Sequence, residues 1–352
     1  MTITYSCGMG QESIVAEYNL IGNSIKLDTS IVGLTPVFTF GDDFVFQDIM
    51  PMHGNAPKAG KMLGNTLNLS ENLLKIGHGH NEFQEVAFIK GKDSTLCLLN
   101  RYGAIPKSVT CITKINSIAD IKDTGKWRTY SLRDLPAFYS FSDFNASISD
   151  STILVLGSPQ TCIGHIMSIM DFKNQKIQPL DFWPEDNVEC DSMAKHMIYA
   201  QYAGILGNGN GRYAYKFAGE RYLFIFSIEG NHVNIIKTLY EAYPIYKGRG
   251  KDWALKGRRP EGIQCTGSSN NLYVLLTDSN KDREKLQKYE FPLYGNTVEI
   301  YDWDGNIQKI FHLDKYGNKI AVSDDNKTLY LFVIDNVSDI YKIWSYDLSS
   351  LK

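Results

Sequence analysis

Few residues of this chain combine type and spacing in a way that suggests chemistry. His78-Gly-His80-Asn-Glu82 has an HxH step. In an extended strand that step puts two imidazoles on one side, with a carboxylate close by. Such groups can ligate zinc. No further strong ligand follows at a zinc-site spacing, and the flanking glycines fit a tight turn. The expectation is therefore a structural turn in which Glu82 accepts backbone N–H groups. His78, His80 and Glu82 form a metal set only in the alternative, and no cofactor is expected. The second candidate is the segment 240–262, with six cations, three tyrosines and a tryptophan. Tyr246, Arg249, Lys251, Trp253, Arg258 and Arg259 are its ligand-binding candidates. Aromatic faces stack on sugars or bases, and arginine pairs with carboxylates or phosphates. The plain alternative is a solvated loop whose Tyr and Trp pack on the neighbouring sheet.

Other reactive signatures are missing. No GxSxG, HExxH or Walker A motif occurs, so no catalytic residue is assigned. Gly207-Asn-Gly-Asn-Gly211 sits in a strand-opening turn rather than ahead of a helix, which argues against a phosphate cradle. The six cysteines form no CxxC pair and fit buried thiols, with a disulfide or two allowed in an exported chain. The Ser6-Cys7-Gly8 junction resembles the end of a bacterial lipoprotein signal, which makes Cys7 a lipidation candidate. The basic and apolar segments that normally precede such a junction are missing, as a start codon placed late inside the signal would leave it. If Met1 is the true start, the protein is cytoplasmic and Cys7 an ordinary thiol.

The elements that must position these residues are strands. Across 352 residues, 43% are hydrophobic and 36 Lys+Arg face 39 Asp+Glu, a net charge of −3. That balance gives no general attraction to phosphate backbones, so no nucleic-acid partner is expected. No apolar run reaches the roughly 18 residues of a membrane span, so membrane contact is expected only through a lipid anchor. Short β-branched and aromatic runs bounded by Gly, Asn and Asp recur from end to end. Matching apolar strands sit near positions 44, 95, 152, 214, 272 and 328, at intervals of 51, 57, 62, 58 and 56. A four-stranded antiparallel sheet with its turns needs about that length, and a propeller blade is such a sheet. The expected fold is all-β: a single six-bladed β-propeller of four-stranded antiparallel blades over 14–352, following a tail of 1–13. Strand character at 14–20 is left over from the first unit. It is expected to close the ring by pairing beside 340–346.

The stretch Gly77-His-Gly79-His-Asn-Glu82-Phe83 resembles the Gly-x-Gly-x-x-Glu-Phe signature of the TolB-like six-bladed β-propeller proteins of Bacteroidetes. The 300–305 turn (Ile-Tyr-Asp-Trp-Asp-Gly) and the Leu-Tyr strands also match that blade pattern. The resemblance implies a propeller and a cell-envelope location, in the periplasm or at the outer membrane. It implies no particular activity. Because no inward acid or histidine repeats in register, the expected function is non-enzymatic: loops on one propeller face recognising a glycan, peptide or envelope partner protein, with the chain monomeric. A polysaccharide- or lactone-acting hydrolase or lyase at the central channel is the alternative.

Overall fold

The computed structural model describes residues 15–27, 34–40, 43–48, 56–91, 95–102, 105–138, 145–186, 188–217, 220–250, 252–255, 261–278, 294–335 and 340–351. The fold is all-β; helix among these residues is limited to one α-helix and two short 3-10 segments. Strands β1 (Ala16–Leu20) and β2 (Asn23–Leu27) come first. The first group of four is β3 (Leu34–Phe40), β4 (Asp43–Asp48), β5 (Lys58–Leu63) and β6 (Thr66–Asn72). The two-residue strands β7 (Lys75–Ile76) and β8 (Glu82–Phe83) follow and pair in parallel. The second group is β9 (Glu85–Lys90), β10 (Leu96–Tyr102), β11 (Ile105–Ile112) and β12 (Trp127–Ser131). The third is β13 (Ala146–Ser149), β14 (Thr152–Leu156), β15 (Met167–Asp171) and β16 (Lys176–Pro179).

Helix α1 (Ser192–Gln201) leads into the fourth group: β17 (Ala203–Gly207), β18 (Tyr213–Phe217), β19 (Tyr222–Glu229) and β20 (His232–Glu241). A short hairpin, β21 (Tyr246–Arg249) and β22 (Asp252–Leu255), precedes the fifth group. That group is β23 (Glu261–Gly267), β24 (Asn271–Asp278), β25 (Gly295–Asp302) and β26 (Ile307–Gly317). In the last group β27 (Lys319–Val322), β28 (Thr328–Asp335) and β29 (Ile340–Asp347) take β2 as their fourth strand. Each group is an antiparallel meander. Groups six and one merge into one eight-stranded sheet through a short parallel joint, Lys26↔Thr66 and Leu27↔Leu67, between β2 and β6.

Turn chemistry explains the meanders. Between β25 and β26 the Asp302 carboxylate accepts N–H groups from Asp304 (3.0 Å) and Asn306 (2.8 Å). Gly305 there takes φ 84°, a left-handed conformation that glycine adopts without steric cost. Second strands of the groups carry long buried runs. All five residues of β18 are buried, as are four of the five in β14, as expected for sheets covered on both faces.

Six buried clusters hold the groups together, each spanning two neighbours. Val45 and Leu74 meet Phe88 and Leu98 between groups one and two. Ile89, Cys97 and Val109 meet Ile153 and Phe172 between two and three. Leu154 and Met167 meet Tyr215, Phe224 and the α1 residues Ile198 and Tyr199 between three and four. Leu223 and Ile225 meet Leu272 and Val274 between four and five. Leu275 and Phe311 meet Leu329 and Leu331 between five and six. Tyr330 and Phe332 meet Phe44, Phe46 and Leu67 between six and one.

The strand expected beside 340–346 is different from the one found. β1 lies parallel to β26, from Ala16↔Lys309 to Leu20↔Leu313, as a fifth strand of group five. β2 pairs antiparallel with β29, Asn23↔Ser345 to Ile25↔Ile343. Side-chain pattern explains the division. Tyr18 packs edge-on to Phe311 at 6.0 Å, and Leu20 covers the same cluster. Ile25, at 4% exposure, is the residue that fits the junction of groups six and one. Gly22 makes the crossing: a Cβ there would lie 2.7 Å from the Tyr346 ring. The 1–13 tail, with Cys7, lies outside the described residues.

Candidate functional site

The Gly-x-Gly-x-x-Glu turn is built around one carboxylate. Glu82 Oε2 accepts the Gly79 N–H at 2.7 Å. A Cβ on Gly77 would lie 2.2 Å from that oxygen, and one on Gly79 2.9 Å from it. The glycines therefore make room for Glu82, and β7–β8 pairing closes the turn. The His78 ring meets Gln84 Nε2 through Nδ1 at 2.7 Å, and His80 is exposed. No group of three His, Cys, Asp or Glu side chains positioned to hold a metal occurs among the described residues. A groove of about 780 Å³ runs beside the turn, between Lys75, His80, Lys122 and Trp127.

The 246–259 loop divides. Tyr246 is 1% exposed and points inward. Its hydroxyl donates to Asp186 Oδ2 (2.8 Å), which also accepts from the Tyr199 hydroxyl (2.7 Å); Asp186 Oδ1 takes Lys195 Nζ (2.9 Å). The Asp186 side chain is 1% exposed and that of Lys195 10%. Burial, reinforced by the bond to this carboxylate, holds the Tyr199 and Tyr246 phenols well above their ordinary pKa. The α1 N-cap Asp191 accepts the N–H of Ala194 (2.9 Å) and that of Gly250, and so ties the hairpin to the helix. Trp253 is half-buried, edge-on to Tyr202 at 5.7 Å. Arg249 is exposed. Lys251, Arg258 and Arg259 lie outside the described residues.

A constellation that sequence spacing did not mark appears where the first strands meet. A cavity of about 560 Å³ is lined from all six groups: Thr39 and Phe40 of β3, Phe88 and Lys90 of β9, Ala146 of β13, Ile205 to Gly207 of β17, Thr266 and Gly267 of β23, and Ala321 and Val322 of β27. Asn145, Asn208, Asn210, Ser268, Ser269, Ser323 and Asp324 also line it. Thr39, 5% exposed, donates its hydroxyl to the Val322 carbonyl at 2.6 Å, joining groups one and six. Lys90 of group two reaches across β3 to the Asp324 carboxylate and to the Thr39 carbonyl (3.4 Å). Among the described residues of the lining, the ionisable ones are Lys90 and Asp324, and they pair with each other. The remaining polar groups are amides and hydroxyls. The glycine-rich 207–211 turn is one wall, pinned by Asn208 Oδ1 accepting the N–H groups of Asn210 (2.7 Å) and Arg212 (3.1 Å). The described hairpin β21–β22 packs on α1, which leads into the Ala203 end of β17, whereas the cavity gathers at the far end of that strand, Ile205 to Asn210. Glycine and asparagine in the 207–211 turn were the available sequence signal, but they read equally well as turn formers.

No protein-family model matches the chain, and no curated protein does. Among solved structures, it is similar to a candidate exported protein from Bacteroides fragilis at 8% identity and a TM-score of 0.49, covering 94% of this chain and 99% of that one. It is also similar to the protein U3-55K at 8% identity and a TM-score of 0.44, covering 93% and 98%.

Proposed function

We propose that the six groups are the blades of a closed six-bladed β-propeller of the TolB-like type. In this reading the chain is a binding module of the cell envelope that takes a neutral, hydroxyl-rich ligand, an oligosaccharide, in its central cavity. The observation that carries the reading is the cavity wall. All six first strands contribute to it, and among its described residues the polar groups are amides and hydroxyls apart from the paired Lys90 and Asp324. Such a wall matches the donors and acceptors of a sugar without favouring a charged ligand. About 560 Å³ is within the range of small-ligand sites. Ring closure is supported by the cyclic order of the six buried clusters and by the contacts of β27 with both β23 and β3. The Glu82-centred turn supports the TolB-like resemblance. Attachment to the envelope through Cys7 rests on the Ser6-Cys7-Gly8 junction.

Calorimetric titration with neutral and acidic oligosaccharides tests the reading. Saturable binding of neutral members, little changed between low and high salt, is the expected result. Binding confined to acidic members and lost in salt would move the site to the cation-rich 246–259 loop.

A further inference from the structure

We propose that Cys97 and Cys111 form a cross-strand disulfide when the chain folds in an oxidising compartment. The two residues are direct partners across the β10–β11 pair. Directly opposed residues of an antiparallel pair have Cα atoms about 4.5–5.5 Å apart, inside the roughly 4.4–6.8 Å that a disulfide spans. Both side chains point into the same buried cluster, at 0% and 4% exposure. Their sulfurs are 2.8 Å apart as thiols. That is closer than the roughly 3.5–4.0 Å of ordinary non-bonded contact, so bond formation needs little backbone movement. The other described cysteines have different neighbours. Cys190 Sγ donates to the Gly248 carbonyl, Cys162 meets Thr161, and Cys265 is buried beside Lys216.

The chemistry is thiol–disulfide exchange with a dithiol oxidase or glutathione disulfide as oxidant. One cysteine loses its proton, and its thiolate attacks the oxidant's disulfide, displacing one of its sulfurs as a thiolate. The second cysteine then attacks the mixed disulfide, forming the Cys97–Cys111 bond and displacing the other sulfur. The protein loses two protons and two electrons, and the oxidant's disulfide takes them up and leaves as two thiols. In the folded chain this exchange is blocked. The hydrogen bond to Cys111 and burial raise the Cys97 pKa, and no oxidant reaches the cluster. The bond is therefore made during folding and is protected afterwards.

The test is refolding of the reduced, denatured chain in a glutathione redox buffer, followed by thiol counting in denaturant and peptide mapping. The fully reduced chain has six thiols. The expected product has two fewer, a mass lower by about 2 Da, and tryptic peptides 93–101 and 108–114 joined until reductant is added. Folded product exposed to mild reductant without denaturant should keep the link. A full thiol count after oxidative refolding, or a bond joining a different pair, would overturn the proposal. The mapping uses the natural chain, so its outcome does not depend on a cysteine variant folding, nor on which ligand the cavity takes.

Discussion

Asp186→Ala removes the one carboxylate that Lys195, Tyr199 and Tyr246 share. Breaking a buried ion pair from one side costs about 3–5 kcal/mol, because the remaining charge is left in a poorly solvated site. Each phenol that loses its acceptor adds about 1–3 kcal/mol if no water replaces it. The space left by the carboxylate admits water, so these terms overlap, and about 4–6 kcal/mol is expected in total. For a chain of this length that corresponds to a fall in Tm of roughly 5–8 °C. Asp186→Asn, which keeps an acceptor oxygen for the tyrosines, should cost about half as much. Adding Lys195→Met to Asp186→Ala should recover part of the loss, since it removes the stranded ammonium group. Urea and thermal unfolding of the four proteins measure this directly. Hydrogen exchange should localise the weakening to α1 and the β21–β22 hairpin, which Tyr246 joins to the network. If Asp186→Ala unfolds within about 1 kcal/mol of the natural chain, or Lys195→Met makes it worse, the network does not hold the hairpin in place.

Three further perturbations probe single residues of the structure. Burial lowers the pKa of His196 to about 4, below its ordinary 6.5, while its Nδ1 meets the His165 carbonyl at 3.0 Å. Between those values the unfolded chain binds a proton that the folded chain refuses. Stability should therefore be complete above pH 6.5 and fall by about 3 kcal/mol toward pH 4. His196→Gln should flatten that part of the stability–pH curve, and an unchanged slope would refute the assignment. Gly77→Ala should cost about 1–3 kcal/mol by forcing a methyl group onto the Glu82 carboxylate. The double variant with Glu82→Ala should cost less than the sum of the two single changes. Trp253→Ala should lower stability by about 2 kcal/mol through lost packing on Tyr202, whereas Arg249→Ala should change it by less than about 0.5 kcal/mol. Parallel melts of the two variants distinguish a packed tryptophan from a solvated arginine.

Much of the strand order was legible in the sequence. The recurring positions near 44, 152, 214, 272 and 328 fall in β4, β14, β18, β24 and β28, and 95 falls just before β10. These are the second strands of the groups. They announce themselves because both faces are buried, which demands a continuous apolar run. The first strands were hidden. β13 reads Ala-Ser-Ile-Ser and β27 Lys-Ile-Ala-Val, four residues each, too short and too mixed for a periodic signal. Yet these strands line the cavity, so the candidate site was the least legible part of the chain. The 240–262 segment stood out by composition, but its Tyr246 is held inward by Asp186, sixty residues away. Local sequence carries no trace of that partner. α1 was missed for a related reason. Its ten residues are short for independent helix formation, and it is held by Asp191 and by packing on β21 and β22.

A ligand that enters the cavity where the six first strands meet is excluded when that space is filled. Ser269 and Asn210 line it and are exposed, so Ser269→Trp and Asn210→Trp should fill its space without disturbing a buried contact. The decisive measurement is the affinity of both variants, and of the natural chain, for a neutral oligosaccharide by calorimetry, with thermal melts as a control on folding. Unchanged melts and at least a tenfold loss of affinity are expected in each variant. Unchanged affinity in both, with the natural chain binding the same sugar, would place the ligand elsewhere on the molecule and contradict this expectation.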